Sequence, residues 1–125
     1  MLVVPDVKQA SNLYEKVFGI VPIFELPDDT GRILFARLRY RGSNFTLTQE
    51  GAFGFDGKSP ATTNTTPSFI FYLYVDDVDA VYSAAITNGF QSLEEPHDEF
   101  WGDKKARVKD SYGYIWDVAL KANLG

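Results

Sequence analysis

Val4-Pro5-Asp6-Val7 returns 71 residues later as Val75-Asp76-Asp77-Val78, and the echo continues in order along the chain. Phe35-Ala36-Arg37-Leu38 aligns with Lys105-Ala106-Arg107-Val108 at a spacing of 70, and Phe45-Thr46-Leu47 with Trp116-Asp117-Val118 at 71. Self-similarity at a near-constant period marks a duplicated supersecondary unit. The copies run 1–50 and 68–125. Between them Gly51 to Pro67, rich in Gly, Thr, Ser and Pro, reads as a linker. At 125 residues the whole is one ordinary domain built from two units.

Each copy opens on a short apolar strand, Leu2–Val4 or Phe69–Val75, and continues into a helix. In the first helix Val7, Ala10, Tyr14, Val17 and Phe18 share one face at helical spacing. Asp6 suits the N-cap with Gln9 completing a capping box, and Gly19 suits the left-handed position past the end. The second helix repeats this with Val78, Val81, Tyr82 and Ala85, capped by Asp76 or Asp77 and ended by Gly89. Three strands follow in each copy: Val21–Glu25, Ile33–Tyr40 and Asn44–Gln49, then Gln91–Glu94, Lys104–Lys109 and Tyr114–Leu120. The expected fold is α+β, two βαβββ units forming a cupped mixed sheet.

Alternation along the strands separates two faces. Phe69, Phe71, Leu73 and Val75 make an apolar face for a helix, and Ile70, Tyr72 and Tyr74 the other. Trp116 and Val118 point to the core, Asp117 away from it. Leu34, Ala36 and Leu38 oppose Ile33, Phe35, Arg37 and Arg39, and Phe45 and Leu47 oppose Thr46 and Thr48. Each sheet thus has a second face that mixes rings with Thr, Arg, Tyr and Asp, a lining suited to a small molecule.

Composition removes several functions. Seventeen acidic against 12 basic residues leave a net charge of −5, which disfavours nucleic acid and favours a cationic guest. The absence of cysteine excludes disulfides, Cys–Zn and iron–sulfur sites and thiol catalysis. A single histidine, His97 in the acidic loop Glu95–Glu99, excludes two-His metal motifs within one chain. No apolar run reaches the roughly 18 residues of a membrane span, and no secretion signal is visible, so the expected compartment is the cytoplasm and no membrane partner is expected. Gly51 to Ser59 brushes against a phosphate-loop pattern. Ala52 and the Pro60 that follows remove the backbone cradle and the helix, so that pattern is rejected.

Val4-Pro5-Asp6-Val7 leading to Tyr14-Glu15-Lys16-Val17-Phe18-Gly19 resembles the opening of a vicinal-oxygen-chelate unit, and Tyr74-Val75-Asp76-Asp77-Val78-Asp79-Ala80 opens the second in the same style. Phe100-Trp101-Gly102-Asp103 and Val108 to Trp116 resemble the closing signature. The resemblance covers nearly the whole chain and points to the superfamily of glyoxalase I, extradiol dioxygenases and fosfomycin- and bleomycin-resistance proteins. Within it the bleomycin/mitomycin-resistance-like and PhnB-like members look most similar. It implies paired βαβββ units, usually in a homodimer. It also implies four metal positions in the enzymes: one falls before Met1, and the others on Thr46, Ile70 and Asp117. With that position before Met1, the chain is expected to lack part of the usual first strand. Only Asp117 is an ordinary ligand, and one carboxylate cannot hold a catalytic transition metal against water.

The resulting expectation is a metal-free, cofactor-free protein that binds a small aromatic or cationic molecule, with antibiotic sequestration the most concrete form. The residues expected at the ligand are Phe35, Arg37, Thr46, Tyr72, Tyr74, Trp101, Asp103, Arg107 and Asp117. Asp117 is also the one candidate general base, with an ion pair to Arg37 or Arg107 as its structural alternative. Two rivals stay open: a metal-dependent lyase or dioxygenase drawing on Asp117 with Gln49, Glu50 or Glu99, and a non-catalytic dimer module.

Overall fold

The computed structural model describes residues 1–121. The last four residues of the second copy, 122–125, lie outside the described residues. Two compact units are present; one spans Met1–Asn64 and the other begins at Thr65. The first holds β1 (Leu2–Val4), α1 (Val7–Phe18), β2 (Val21–Pro27), β3 (Ile33–Tyr40) and β4 (Ser43–Gln49). A 3-10 turn (Ala52–Gly54) and a short helix α2 (Pro60–Thr63) follow. The second holds β5 (Phe71–Tyr74), α3 (Val78–Thr87), β6 (Gln91–Asp98), β7 (Lys104–Lys109) and β8 (Ile115–Leu120).

Both units fold as βαβββ, with strand orders β1-β4-β3-β2 and β5-β8-β7-β6. The first and last strands of each unit pair in parallel and the other pairs are antiparallel. The register preserves the repeat: Arg37 faces Thr46 as Arg107 faces Asp117. The helix and two strands that lie between β1 and β4, and between β5 and β8, supply the long connection that parallel pairing needs.

The helices form where their ends are fixed. The Asp6 carboxylate accepts the Gln9 N–H at 3.0 Å, and Gly19 takes the left-handed conformation at φ 73°. Asp77 plays the N-cap part for α3, accepting the Ala80 N–H at 3.0 Å. The buried face of α1, from Val7 to Phe18, packs on the sheet side carrying Ala36, Leu38 and Leu47, all without solvent exposure. In the second unit α3 covers Ala106, Val108 and Val118, and Trp116 stacks on Phe71 with ring centroids 4.4 Å apart. Each fully buried Leu or Val contributes about 1.5–3 kcal/mol of transfer free energy. None of the described helices is long and apolar enough to cross a membrane.

Several boundaries differ from the sequence reading: β2 runs on to Pro27, β4 starts at Ser43 and β8 at Ile115. β6 continues to Asp98, so His97 sits in a strand and not in a loop. Pro96 is tolerated within it, because β6 is an edge strand with two irregularities, where a missing N–H breaks no ladder. β5 begins at Phe71, because only Phe71 to Tyr74 pair with β8. The stretch from Gly51 to Asn64 belongs to the first unit: the Glu50 carboxylate accepts the Ser59 N–H at 2.9 Å and the Thr62 hydroxyl at 2.7 Å.

Candidate functional site

In the first unit the sheet face opposite α1 carries two cross-strand rows. Phe24, Arg37 and Thr46 form one; Leu26, Phe35, Thr48 and Val3 form the other. Phe24 meets Phe35 edge-on at 6.2 Å, and the Arg37 guanidinium lies 5.6 Å over the Phe24 ring. A hollow of about 400 Å³ opens here, lined by Met1, Phe24, Leu26, Phe35, Thr48, Phe53 and Phe55. The lining is almost wholly apolar, and the Thr48 Oγ1 is shielded from solvent.

Phe53 and Phe55 reach the hollow through an unusual turn. Gly51 at φ 80°, Phe53 at φ 57° and Gly54 at φ 71° are all left-handed. That conformation is ordinary for glycine and costly for a phenylalanine. The chain thereby reverses tightly enough to set two rings beside β2 and β3.

The corresponding face of the second unit is ionic. Tyr72, Asp117, Arg107 and Glu94 form one cross-strand row, and Tyr74, Ala119, Lys105 and His97 the next. Arg107 grips Asp117 through Nε–Oδ1 at 2.7 Å and Nη2–Oδ2 at 3.0 Å, and reaches Glu94 at 3.1 Å. Lys105, nearly buried, lies 3.4 Å from Asp117, 3.2 Å from Glu99 and 3.5 Å from Glu94. His97 lies 2.9 Å from Glu99 and 3.5 Å from Glu94. Asp103, buried in the β6–β7 turn, accepts the Tyr72 hydroxyl at 2.9 Å and the Tyr74 hydroxyl at 3.4 Å.

These contacts set the protonation of the cluster. Burial, then the hydrogen bond to Asp103, pushes the Tyr72 phenol up to about 12. Tyr74 moves up for the same reasons. Burial alone would lower Lys105, but Asp117, Glu99 and Glu94 outweigh it and hold the ammonium above its usual value. The Asp117 hydrogen bond raises Arg107. His97 is raised by its bond to the Glu95 carbonyl and then by Glu99. Burial would raise Glu99, but His97 and Lys105 together hold it below the usual carboxylate range.

The sites expected from sequence therefore fall into two groups. Phe35 lines the hollow, with Arg37 and Thr46 in the adjacent row. Tyr72, Tyr74, Asp103, Arg107 and Asp117 share the ionic face. Trp101 sits in the β6–β7 turn, 4.9 Å from Phe100 and half exposed. Asp117 pairs with Arg107, its register neighbour, and with Lys105, which the sequence reading did not weigh. Phe24, Leu26, Thr48, Phe53 and Phe55 were also not anticipated. Alternation along β2 could have signalled Phe24 and Leu26.

The donor set at the family's metal positions does not fit a transition metal. Ile70 has no donor, Thr46 offers only a hydroxyl, and both Asp117 oxygens are held by cations. The rival ligands are engaged elsewhere. The Gln49 carboxamide accepts the Val7 N–H at 3.3 Å and donates to the Pro5 carbonyl. Glu50 holds Ser59 and Thr62, whose hydrogen bonds outweigh burial and lower its pKa. Glu94, His97 and Glu99 place ligand atoms within 4.8 Å of one another, but the Lys105 ammonium already sits among them as their cation.

A family model described as the Glyoxalase/Bleomycin resistance protein/Dioxygenase superfamily matches residues 1–118. The uncharacterized protein Mb0911c of Mycobacterium bovis is 33% identical over 119 residues, which are 94% of this chain and 78% of that relative. Among solved structures, TioX from Micromonospora sp. ML1 superposes with a TM-score of 0.73 at 21% identity, covering 95% of this chain and 93% of TioX. The Arabidopsis thaliana gene product AT5G48480 gives 0.73 at 24%, covering 94% and 91%. Likeness at these identities concerns the fold alone.

Proposed function

The chain belongs to the glyoxalase/bleomycin resistance protein/dioxygenase superfamily, and we propose that it serves as a metal-free binder of small, flat aromatic compounds, in the manner of a sequestering protein. The phenylalanine-lined hollow of the first unit carries this reading. Its volume falls in the range of small-molecule sites, and its rings offer stacking and edge contacts without chemistry. A cationic guest finds less support than a neutral one: Glu94, Glu99 and Asp117 already hold Lys105 and Arg107.

Calorimetry at pH 8 with acridine, which is neutral there, and proflavine, its cationic analogue, tests the reading. Acridine is expected to bind with a Kd of about 10 μM, and Phe35→Ala to weaken it about tenfold. No acridine binding up to about 1 mM removes the proposal. Tighter binding of proflavine replaces the neutral guest by a cationic one. A stoichiometric transition metal in protein purified without chelator overturns the metal-free half and restores the lyase or dioxygenase reading.

A further inference from the structure

We propose that Arg37 reads a carboxylate on the guest, so that the hollow selects aromatic acids among flat aromatic compounds. The inference rests on the hollow being a ligand site and adds the chemical class of the ligand. The lining itself is almost wholly apolar, so a polar contact to the guest has to come from beside it. Arg37 stands in the adjacent row, in register with the lining residue Phe24, and its guanidinium lies 5.6 Å over that ring. The Arg37 side chain is exposed and makes no hydrogen bond or ion pair among the described residues.

The duplication shows what this arginine lacks. Arg107, its equivalent in the second unit, is gripped by Asp117 across the strand pair, whereas Arg37 faces Thr46. The neighbouring rows offer no substitute. Val21, Arg39 and Asn44 form the row on one side, and Leu26, Phe35, Thr48 and Val3 the row on the other, with no acidic residue in either. Arg39 donates to the Asn44 carboxamide oxygen at 3.0 Å. Glu25, the acidic residue of β2, pairs with Lys8 of α1 at 3.1 Å. These three rows therefore carry two arginines and no carboxylate. A guest carboxylate meets the planar guanidinium with two parallel hydrogen bonds, as Asp117 meets Arg107, while its ring packs among the phenylalanines. The net charge of −5 opposes an anion at long range, but physiological salt screens that field beyond about 8 Å and leaves the nearby guanidinium to decide.

Naphthoate and naphthamide form a matched pair of nearly equal shape, the first anionic and the second neutral at pH 7. Their binding can be followed by NMR of the Leu26 methyl groups in the wild type, Arg37→Met and Phe35→Ala. Naphthoate is expected to bind about fivefold more tightly than naphthamide to the wild type, and equally to Arg37→Met. Methionine keeps an apolar stem beside Phe24, so unchanged naphthamide affinity in that variant shows that the hollow is intact and assigns the loss to the charge. Both probes should weaken together in Phe35→Ala, which locates them in the hollow. A naphthoate preference that survives Arg37→Met, or no preference in the wild type, overturns the role of Arg37. An equal loss of both probes in Arg37→Met overturns it too, because the side chain then shapes the wall and reads no charge. Naphthoate binding untouched by Phe35→Ala puts the anion elsewhere and has the same consequence, as does failure of naphthoate where acridine binds. Failure of both probes and of acridine to bind the wild type overturns the underlying reading instead.

Discussion

Arg107 and Asp117 stand in register on neighbouring strands, and the guanidinium closes on the carboxylate through two bonds of 2.7 and 3.0 Å. The repeat-equivalent Arg37 faces Thr46 and lies over the Phe24 ring. One duplicated arginine thus serves a buried charge in the second unit and an aromatic wall in the first. The residue across the strand pair decides which.

Removing Asp117 tests that closed charge. Its side chain is 5% exposed and Lys105 beside it 6%. Truncating Asp117 takes the one buried carboxylate from Lys105 and Arg107 and leaves them Glu94 and Glu99 alone, which costs more than the net worth of the pair. Asp117→Ala is expected to lose about 3 kcal/mol in urea unfolding. A loss under about 1 kcal/mol would mean that the pair behaves like an exposed one.

His97 makes stability depend on pH. Its pKa in the folded protein lies above the unfolded value near 6.5, through the Glu95 carbonyl first and Glu99 next. The protonated ring therefore adds stability that is fully present below that value and is lost as pH rises through the folded pKa. Glu94, Glu99 and Lys105 are the charged groups around it. The His97 ring signal in NMR should titrate with a midpoint above 6.5. The fall in urea midpoint from pH 6 to 9 should shrink in His97→Gln. A ring midpoint at or below 6.5 contradicts this geometry.

Asp110 holds the turn between β7 and β8. Its Oδ1 accepts the Tyr112 and Tyr114 N–H groups at 2.9 and 3.0 Å, and its Oδ2 the Trp116 indole N–H at 2.9 Å. Asp110→Ala would leave these buried donors without the carboxylate. Bonds to a charged acceptor are worth about 1.5–3 kcal/mol each, but they share one side chain and do not add. The expected loss is about 3 kcal/mol by urea unfolding, with a changed near-ultraviolet signal from Trp116. An unchanged Trp116 signal would show that the indole does not depend on Asp110.

The fold was legible because its signals are local. Asp6 and Gln9 announce a helix start, Gly19 its end, and alternation in Ile33–Tyr40 separates Leu38 from Arg37; each matches an observed contact or exposure. The site was less legible because it depends on register and on unusual backbone. The neighbours of Asp117 are set by which β7 residues stand beside it, so Lys105 could not be read from spacing alone. Phe53 was hidden in a stretch read as linker, because its left-handed conformation is one that no phenylalanine advertises. Thr46 and Thr48 look alike in sequence, yet Thr48 has the buried hydroxyl without a partner.

Gly57 offers a way to disturb the hollow without disturbing the core. Its φ lies outside the left-handed region, so alanine meets no backbone strain there, but an added Cβ would stand 2.5 Å from the far edge of the Phe55 ring. Atoms cannot approach so closely, and the ring must move. Phe55 is half exposed at the hollow, so the ring can swing outward at little cost. Gly57→Ala should therefore change stability by less than about 1 kcal/mol while weakening acridine several-fold. Unchanged affinity would remove Phe55 from the ligand's wall. A stability loss above about 2 kcal/mol would show instead that the ring is locked in place and that this turn is part of the unit's packing.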